Sequence, residues 1–274
     1  MSESVKDYPT IKWRAGASRR EADNIVVEEP LEMRLHGRRF TVTMRTPGHD
    51  QELAAGFIFT EGFVTTRADL VEIVRVHGSK GEPELNVLDI ILKVDSSELS
   101  ERLKRNFVVS ASCGVCGKTV IEALERRIAR LGGDARIARA TILGLPLLMR
   151  GAQEVFSATG GLHAAALFSL ARPDAASLIV LREDVGRHNA VDKVIGHALM
   201  NDLIPLHHAA LMVSGRLSFE IVQKAAAAAI PILCAVSAPS SLAVDLAEDL
   251  GITLVGFLRE GGFNIYTHSK RILM

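Results

Sequence analysis

Two cysteines, Cys113 and Cys116, stand in the stretch Ser110-Ala111-Ser112-Cys113-Gly114-Val115-Cys116-Gly117-Lys118. An apolar run, Phe107-Val108-Val109, leads in, and a helical pattern over residues 118–130 leads out. A helix N-terminus carries partial positive charge and free N–H groups, which favour a thiolate over a thiol. Lys118 adds a cation, and the small residues around the sulfurs leave them uncrowded. Such a pair suits sulfur chemistry: one thiolate as nucleophile, the second to shuttle or resolve its adduct by thiol–disulfide exchange. The same spacing fits half a zinc site or two structural cysteines, and spacing alone leaves these open.

The 274 residues suffice for one large domain or two small ones, and an apolar content of 48% permits a sizeable core. The 32 basic and 32 acidic residues balance, which argues against a mainly electrostatic nucleic-acid or membrane binder. Three cysteines are too few for a disulfide scaffold, and their odd number fits a reducing compartment. Residues 1–20 lack the apolar centre of a signal peptide, and no apolar run is long enough to span a membrane. The expectation is a soluble cytoplasmic protein.

Three regions are expected to position the cysteines: a flexible arm or first edge strand over residues 1–22, an α+β domain over 23–133 ending in the C-x-x-C loop and helix, and an α/β domain over 134–274. In the first domain a hairpin spans 24–35 and 39–45. A helix follows, with Asp50 as its N-cap, and then strands at 71–77 and 85–94. Leu131-Gly132-Gly133-Asp134 marks the boundary. Beyond it a helix pair covers 147–170, interrupted at Thr159-Gly160-Gly161. Strands at 177–181, 208–213, 231–236 and 252–257 then alternate with helices at 189–200, 219–229 and 242–250. That alternation implies βαβ units and a mainly parallel sheet with helices on its faces.

In such a sheet ligands bind beyond the carboxyl ends of the strands. Four polar segments are expected to converge there: 182–189, 214–216, 237–241 and 258–264. Arg182, Arg187, Lys193, Arg216 and Arg259 are candidates for phosphates. Asp184 or Glu260 offers a carboxylate to the paired N–H donors of a guanine. Asp192 and Lys193 have a structural alternative, an ion pair.

The order of motifs, with Thr159-Gly160-Gly161-Leu162-His163-Ala164-Ala165 and Glu183-Asp184-Val185-Gly186-Arg187-His188-Asn189 following the cysteine stretch, closely resembles the FdhD family. Arg45-Thr46-Pro47-Gly48, Glu52-Leu53-Ala54-Ala55-Gly56-Phe57 and the tail Asn264-Ile265-Tyr266-Thr267-His268 are similar too. The resemblance implies a sulfurtransferase that takes sulfur from a cysteine desulfurase as a persulfide. It passes the sulfur to the molybdenum or tungsten of a bis-molybdopterin guanine dinucleotide cofactor, as formate dehydrogenase activity requires. It further implies a cytoplasmic homodimer and a cytidine-deaminase-like mixed sheet in the second half. By motif position Cys113 bears the persulfide and Cys116 is its partner. Phe257, Leu258, Arg259, Glu260, Gly261 and Gly262 match the guanine-nucleotide segment, for which GDP would be a mimic. His163, Arg182, Asp184, Arg187, His188 and Lys193 complete the expected cofactor contacts.

The residues themselves weigh against zinc. A closed site needs four ligands, and the chain offers one C-x-x-C. Cys234 lies in an apolar strand and reads as core, and His207-His208 would face opposite sides of a strand. A zinc deaminase needs H-x-E and a later P-C-x-x-C. Here Ala165 stands two residues after His163, and no P-C-x-x-C follows. Two rivals remain open: a cofactor-holding chaperone that carries no sulfur, and a zinc-dependent nucleotide hydrolase.

Overall fold

The computed structural model describes residues 4–78, 81–93 and 129–274. In it, Val5–Arg14 (β1) and Ala17–Val26 (β2) pair antiparallel, so the N-terminus is strand, the second of the two forms expected there, and not a loose arm. Ala15 and Gly16 turn the chain, both with positive φ, as a tight two-residue hairpin turn demands. One hairpin face carries Lys12, bridged to Asp23 at 2.9 Å and Glu21 at 3.5 Å. The other carries Pro9, Ile11 and Trp13 opposite Ala22, Arg20 and Ser18.

Glu29–Leu35 (β3), Arg38–Arg45 (β4), Leu70–His77 (β5) and Pro83–Leu92 (β6) form a four-stranded sheet in the order β4-β3-β6-β5. Leu31, Met33, Leu35, Leu88 and Ile90 alternate onto its buried face. Against that face lies Asp50–Thr60 (α1), apolar nearly all round because a second layer covers its far side. Asp50 does not cap this helix. His49 holds the capping position with φ 57°, while Asp50 is buried and grips Arg45 with both oxygens, at 2.9 and 3.1 Å. A guanidinium as buried as that of Arg45 needs a carboxylate partner.

The second half opens with a short strand, Ile137–Ala138 (β7), and two helices, Arg139–Gly151 (α2) and Glu154–Thr159 (α3). The helix expected to run on to residue 170 is instead the strand His163–Arg172 (β8). Its alanine-rich run favours a helix locally. It is, however, a central strand with helices on both sides, and such strands read as unbroken apolar runs. Ala175–Asp184 (β9), Arg187–Met200 (α4), Ala209–Val213 (β10), Phe219–Ala227 (α5), Ile232–Ala235 (β11), Ser241–Leu250 (α6), Thr253–Arg259 (β12) and Gly262–Ile265 (β13) follow. Ile272–Leu273 (β14) pairs with β7.

The six-stranded sheet runs β13-β12-β11-β10-β8-β9. Only β10, β11 and β12 are mutually parallel, so the sheet is mixed rather than mainly parallel. Residues of α4, α5 and α6 pack on one face of it, and Ile142, Leu145 and Met149 of α2 pack on the other. The chain is therefore α/β, a mixed sheet with helices on both faces joined to a smaller α+β unit. The joint is the crossing of α1 and α4, where a Cβ on Gly56 or on Gly196 would lie 1.8 Å from a carbonyl oxygen of the opposing helix. Only glycine permits so close an approach.

Candidate functional site

Strand register assembles the site. β8 runs antiparallel to both neighbours, so His163 lies beside Asp184 at the end of β9, and Ala165 beside Val213 at the end of β10. Beyond β10, Ser214 N–H donates to the Ala164 carbonyl, and the Ser214 hydroxyl oxygen accepts from Ala164 N–H, both at 2.9 Å. Leu217 N–H donates to Ala238 O, and Phe257 N–H donates to Ser237 O, each at 3.1 Å. The four polar strand exits thus lie side by side on one edge, with His163 among them.

Not every candidate is free to bind. Asp184 and Lys193 are almost wholly buried and face each other, with Nζ 2.7 Å from Oδ2. Asp184 also accepts from Thr46 N–H, Gly186 N–H and the Asn189 amide, and Lys193 donates to the carbonyls of Thr46 and Glu183. The expectation that they touch phosphate or guanine is corrected: they tie the loop after β9 to the loop after β4. Lys193 does not pair with Asp192, whose carboxylate takes Lys224 at 2.8 and 3.0 Å. Arg182 is likewise committed, donating from two nitrogens to Glu52 of α1. Burial pushes the Glu52 carboxyl up, but hydrogen bonds from Arg182 and His197 outweigh it and hold the group below its ordinary value.

Arg187, His163 and His188 do form a group. Arg187 is the first residue of α4, and its Nε is buried with no hydrogen-bond partner among the described residues. A Cβ on Gly215 would lie 3.4 Å from His163 Nδ1 and 3.6 Å from Arg187 Cδ, so both side chains lie against Gly215. Burial, then the charge of Arg187, lowers the affinity of both imidazoles for a proton and favours their neutral forms. His188 Nε2 sits 3.2 Å from the Ser218 hydroxyl. His163 opens a strand, not the helix implied by a pair running to residue 170.

The segment 257–262 spans the end of β12, the turn and the start of β13. Phe257 takes a left-handed φ of 54° where the β12–β13 register shifts, and its side chain is exposed. A bulky residue held there is strained, and such positions gather at functional sites. Leu258 is buried in the core, so it offers a ligand only its backbone. Arg259, Glu260 and Gly261 are exposed at the turn.

A cavity of about 550 Å³ opens beside this edge, under α2 and α3. Met149, Phe156, Leu162 and Val236 supply apolar wall, and Gln153, His163 and Ser214 supply polar atoms. The Arg150 guanidinium lies 4.4 Å from the Phe156 ring centre. Glu183 braces the cavity: its carboxylate accepts from Val155 N–H at 2.9 Å and Phe156 N–H at 2.8 Å, filling the N-terminus of α3. Sequence reasoning missed Arg150, Gln153 and Glu183. The Gly160-Gly161 break after residues 147–159 was the available signal that this segment shapes a site.

A family model described as the FdhD/NarQ family matches residues 26–273. The chain belongs to the FdhD/NarQ family. Its FdhD relatives include a sulfur carrier protein of Mycolicibacterium paratuberculosis, 51% identical over 94% of this chain and 95% of that one. Another, from Streptomyces coelicolor, is 46% identical over 100% of this chain and 98% of its own. A third, from Saccharolobus solfataricus, is 41% identical over 99% of this chain and 100% of its own. The chain is also similar in structure to a protein of Desulfotalea psychrophila described as a formate dehydrogenase accessory protein. Its TM-score is 0.74 at 25% identity, covering 98% of this chain and 99% of that one.

Within this FdhD/NarQ chain, Cys113 and Cys116 lie outside the described residues. Cys234 is fully buried in β11, and burial pushes its thiol up to about 12, as its reading as core implies. His207 and His208 precede β10 in an exposed turn instead of facing opposite sides of it. Among the described residues no three metal-ligating side chains cluster, and no helix is long and apolar enough to cross a membrane.

Proposed function

We propose that the chain is a sulfur carrier for formate dehydrogenase maturation. Cys113 takes sulfur from a cysteine desulfurase as a persulfide and delivers it to the metal of a bis-molybdopterin guanine dinucleotide cofactor, the bound substrate. Cys116 completes the step: its thiolate attacks the inner sulfur of Cys113, a Cys113–Cys116 disulfide forms, and the outer sulfur leaves as hydrosulfide with its electron pair. A thiol reductant then restores the dithiol. The reading places the protein in the cytoplasm as a homodimer, serving the formate dehydrogenase catalytic subunit.

The observation that carries this reading is the near full-length similarity to proteins named sulfur carriers. The site suits a large anionic substrate. Arg187 Nε is buried with no partner among the described residues, and a guanidinium is the natural ligand of a phosphate. Arg259 is exposed at the turn on the same edge.

Mass spectrometry after incubation with desulfurase and cysteine tests the reading. A gain of one sulfur on the Cys113 peptide, abolished by Cys113→Ala together with formate dehydrogenase activation, is expected. No gain under conditions that load a control acceptor would leave a cofactor-holding chaperone in its place.

A further inference from the structure

The hairpin of β1 and β2 is held at its root and bare beyond it. Ser4 Oγ donates to Pro47 O at 2.8 Å, and a Cβ on Gly161 would lie 3.0 Å from Val26 Cγ1. Residues 13–22 are all exposed, so no other described part of the chain covers either face of the outer half. A lone two-stranded hairpin is marginal in water. This one also sets Lys12 directly opposite Arg19, a like-charge pair that weakens it. Residues 11–20 hold four cations, Lys12, Arg14, Arg19 and Arg20, and no carboxylate. Lys12 reaches Asp23 and Glu21 nearer the root, whereas the three arginines have no acidic partner among the described residues.

The two outer edges of the hairpin differ. Proline is tolerated in a strand where its missing N–H points away from the neighbouring strand. Pro9 stands opposite Ala22, so this pair turns its backbone groups outward, in phase with the inward bond from Val27 N–H to Ser4 O. The edge of β1 is thus interrupted at Pro9. The edge of β2 is not: Ser18, Arg20 and Ala22 all point N–H and C=O away from β1. An open edge of this kind is a template for a further strand. Its side chains restrict that strand. Arg19 and Arg20 lie on opposite faces, while Ser18 and Ala22 are small and leave Trp13 and Ile11 open to a neighbour beyond β2.

We propose that the edge of β2 takes an extended segment of a partner protein as an added antiparallel strand, with two consecutive acidic residues flanked by apolar ones. The acidic pair falls opposite Arg19 and Arg20, one on each face, and the flanking apolar side chains cross Ser18 and Ala22 to reach Trp13 and Ile11. Trp and Arg are also the side chains that most often dominate binding between proteins. A bilayer fits less well, because it leaves the open edge unpaired in hydrocarbon. Nucleic acid fits less well too, because its phosphates run on past the arginines to Glu21 and Asp23. The inference goes beyond the proposed function and does not depend on it.

The probe is the peptide acetyl-Thr-Val-Thr-Glu-Glu-Val-Thr-amide carrying a fluorescent label, titrated with the full chain and followed by anisotropy. Binding is expected, weakening severalfold between about 50 and 500 mM salt. The same peptide with Lys-Lys for Glu-Glu should not bind. The double variant Arg19→Glu, Arg20→Glu should lose about tenfold or more in affinity for the acidic peptide. That variant should gain the Lys-Lys peptide, a rescue that a merely unfolded hairpin would not give. Strand addition is tested on the peptide alone. N-methylation of both valines removes the N–H groups that face β2 and should abolish binding, whereas N-methylation of the threonines should be tolerated. No binding of the acidic peptide up to about 1 mM would overturn the proposal, as would equal effects of the two methylations or indifference to the charge reversal. Phosphatidylglycerol vesicles and a DNA duplex serve as competitors. If either bound the chain through Arg19 and Arg20 while the acidic peptide did not, the tip would belong to lipid or nucleic acid, and the proposal would fall.

Discussion

Gly56 of α1 and Gly196 of α4 meet without side chains between them. A Cβ built on either would sit 1.8 Å from a backbone carbonyl oxygen of the other helix, Asp192 O for Gly56 and Glu52 O for Gly196. This contact joins the small sheet and its helix to the large one, so the two halves share a core. Neither backbone can yield without moving a whole helix. Gly56→Ala and Gly196→Ala are each expected to destabilise the chain by about 3 kcal/mol or more, read as a lower urea midpoint. A midpoint within error of wild type would show that the helices separate easily.

Lys193 and Asp184 are buried together, and removing one leaves the other uncompensated. Lys193→Met is expected to cost about 3–5 kcal/mol in urea unfolding. The double variant Lys193→Met, Asp184→Asn should recover a substantial part of that. A phosphate-binding lysine would behave differently: its loss would weaken nucleotide binding and spare stability.

His163 and His188 give the chain an acid limit. Both are held below the ordinary imidazole value, first by burial and then by Arg187, with Asp184 and Glu220 respectively opposing. The unfolded chain therefore binds protons that the folded chain refuses once the pH falls below about 6.5. Stability is full above that value and falls as pH drops through it toward the lowered folded values, by up to about 1.4 kcal/mol per pH unit for each group. The urea midpoint should fall between pH 7 and 5.5. The double variant His163→Gln, His188→Gln should flatten that slope, and an unchanged slope would assign it to other groups.

Cys234 should be chemically silent in the folded chain. Its thiol is buried and pushed up to about 12, far from the range in which thiolates form at neutral pH. Iodoacetamide at pH 8 should leave it unmodified until urea is added, as peptide mass mapping would show. Labelling of the native protein at Cys234 would contradict the packing of β11 against α2.

Much of this was legible in the sequence, and the failures have physical causes. The strand exits converge as expected because βαβ alternation fixes the direction of β10, β11 and β12. The segment 163–172 misled because its alanines favour a helix, while the two layers that make it a central strand come from elsewhere in the chain. Asp50 looked like a cap because nothing local shows that Arg45 would need it in the core. Asp184 and Lys193 looked like ligand groups for the same reason: charge is visible in a sequence, and burial beside an opposite charge nine residues away is not. Gln153 was silent, since a glutamine between two helices reads as a surface linker until its surroundings are seen.

The N-terminal hairpin has a practical consequence. Trp13 is the sole tryptophan of the chain, and it lies near the hairpin tip, 70% exposed. Indole emission will therefore report the solvent around that hairpin and stay nearly blind to the core beneath. Red-shifted fluorescence from the native protein is not a sign of unfolding. A change in that emission on mixing with another macromolecule would reveal the tip being covered, while the far-ultraviolet spectrum follows the sheets separately.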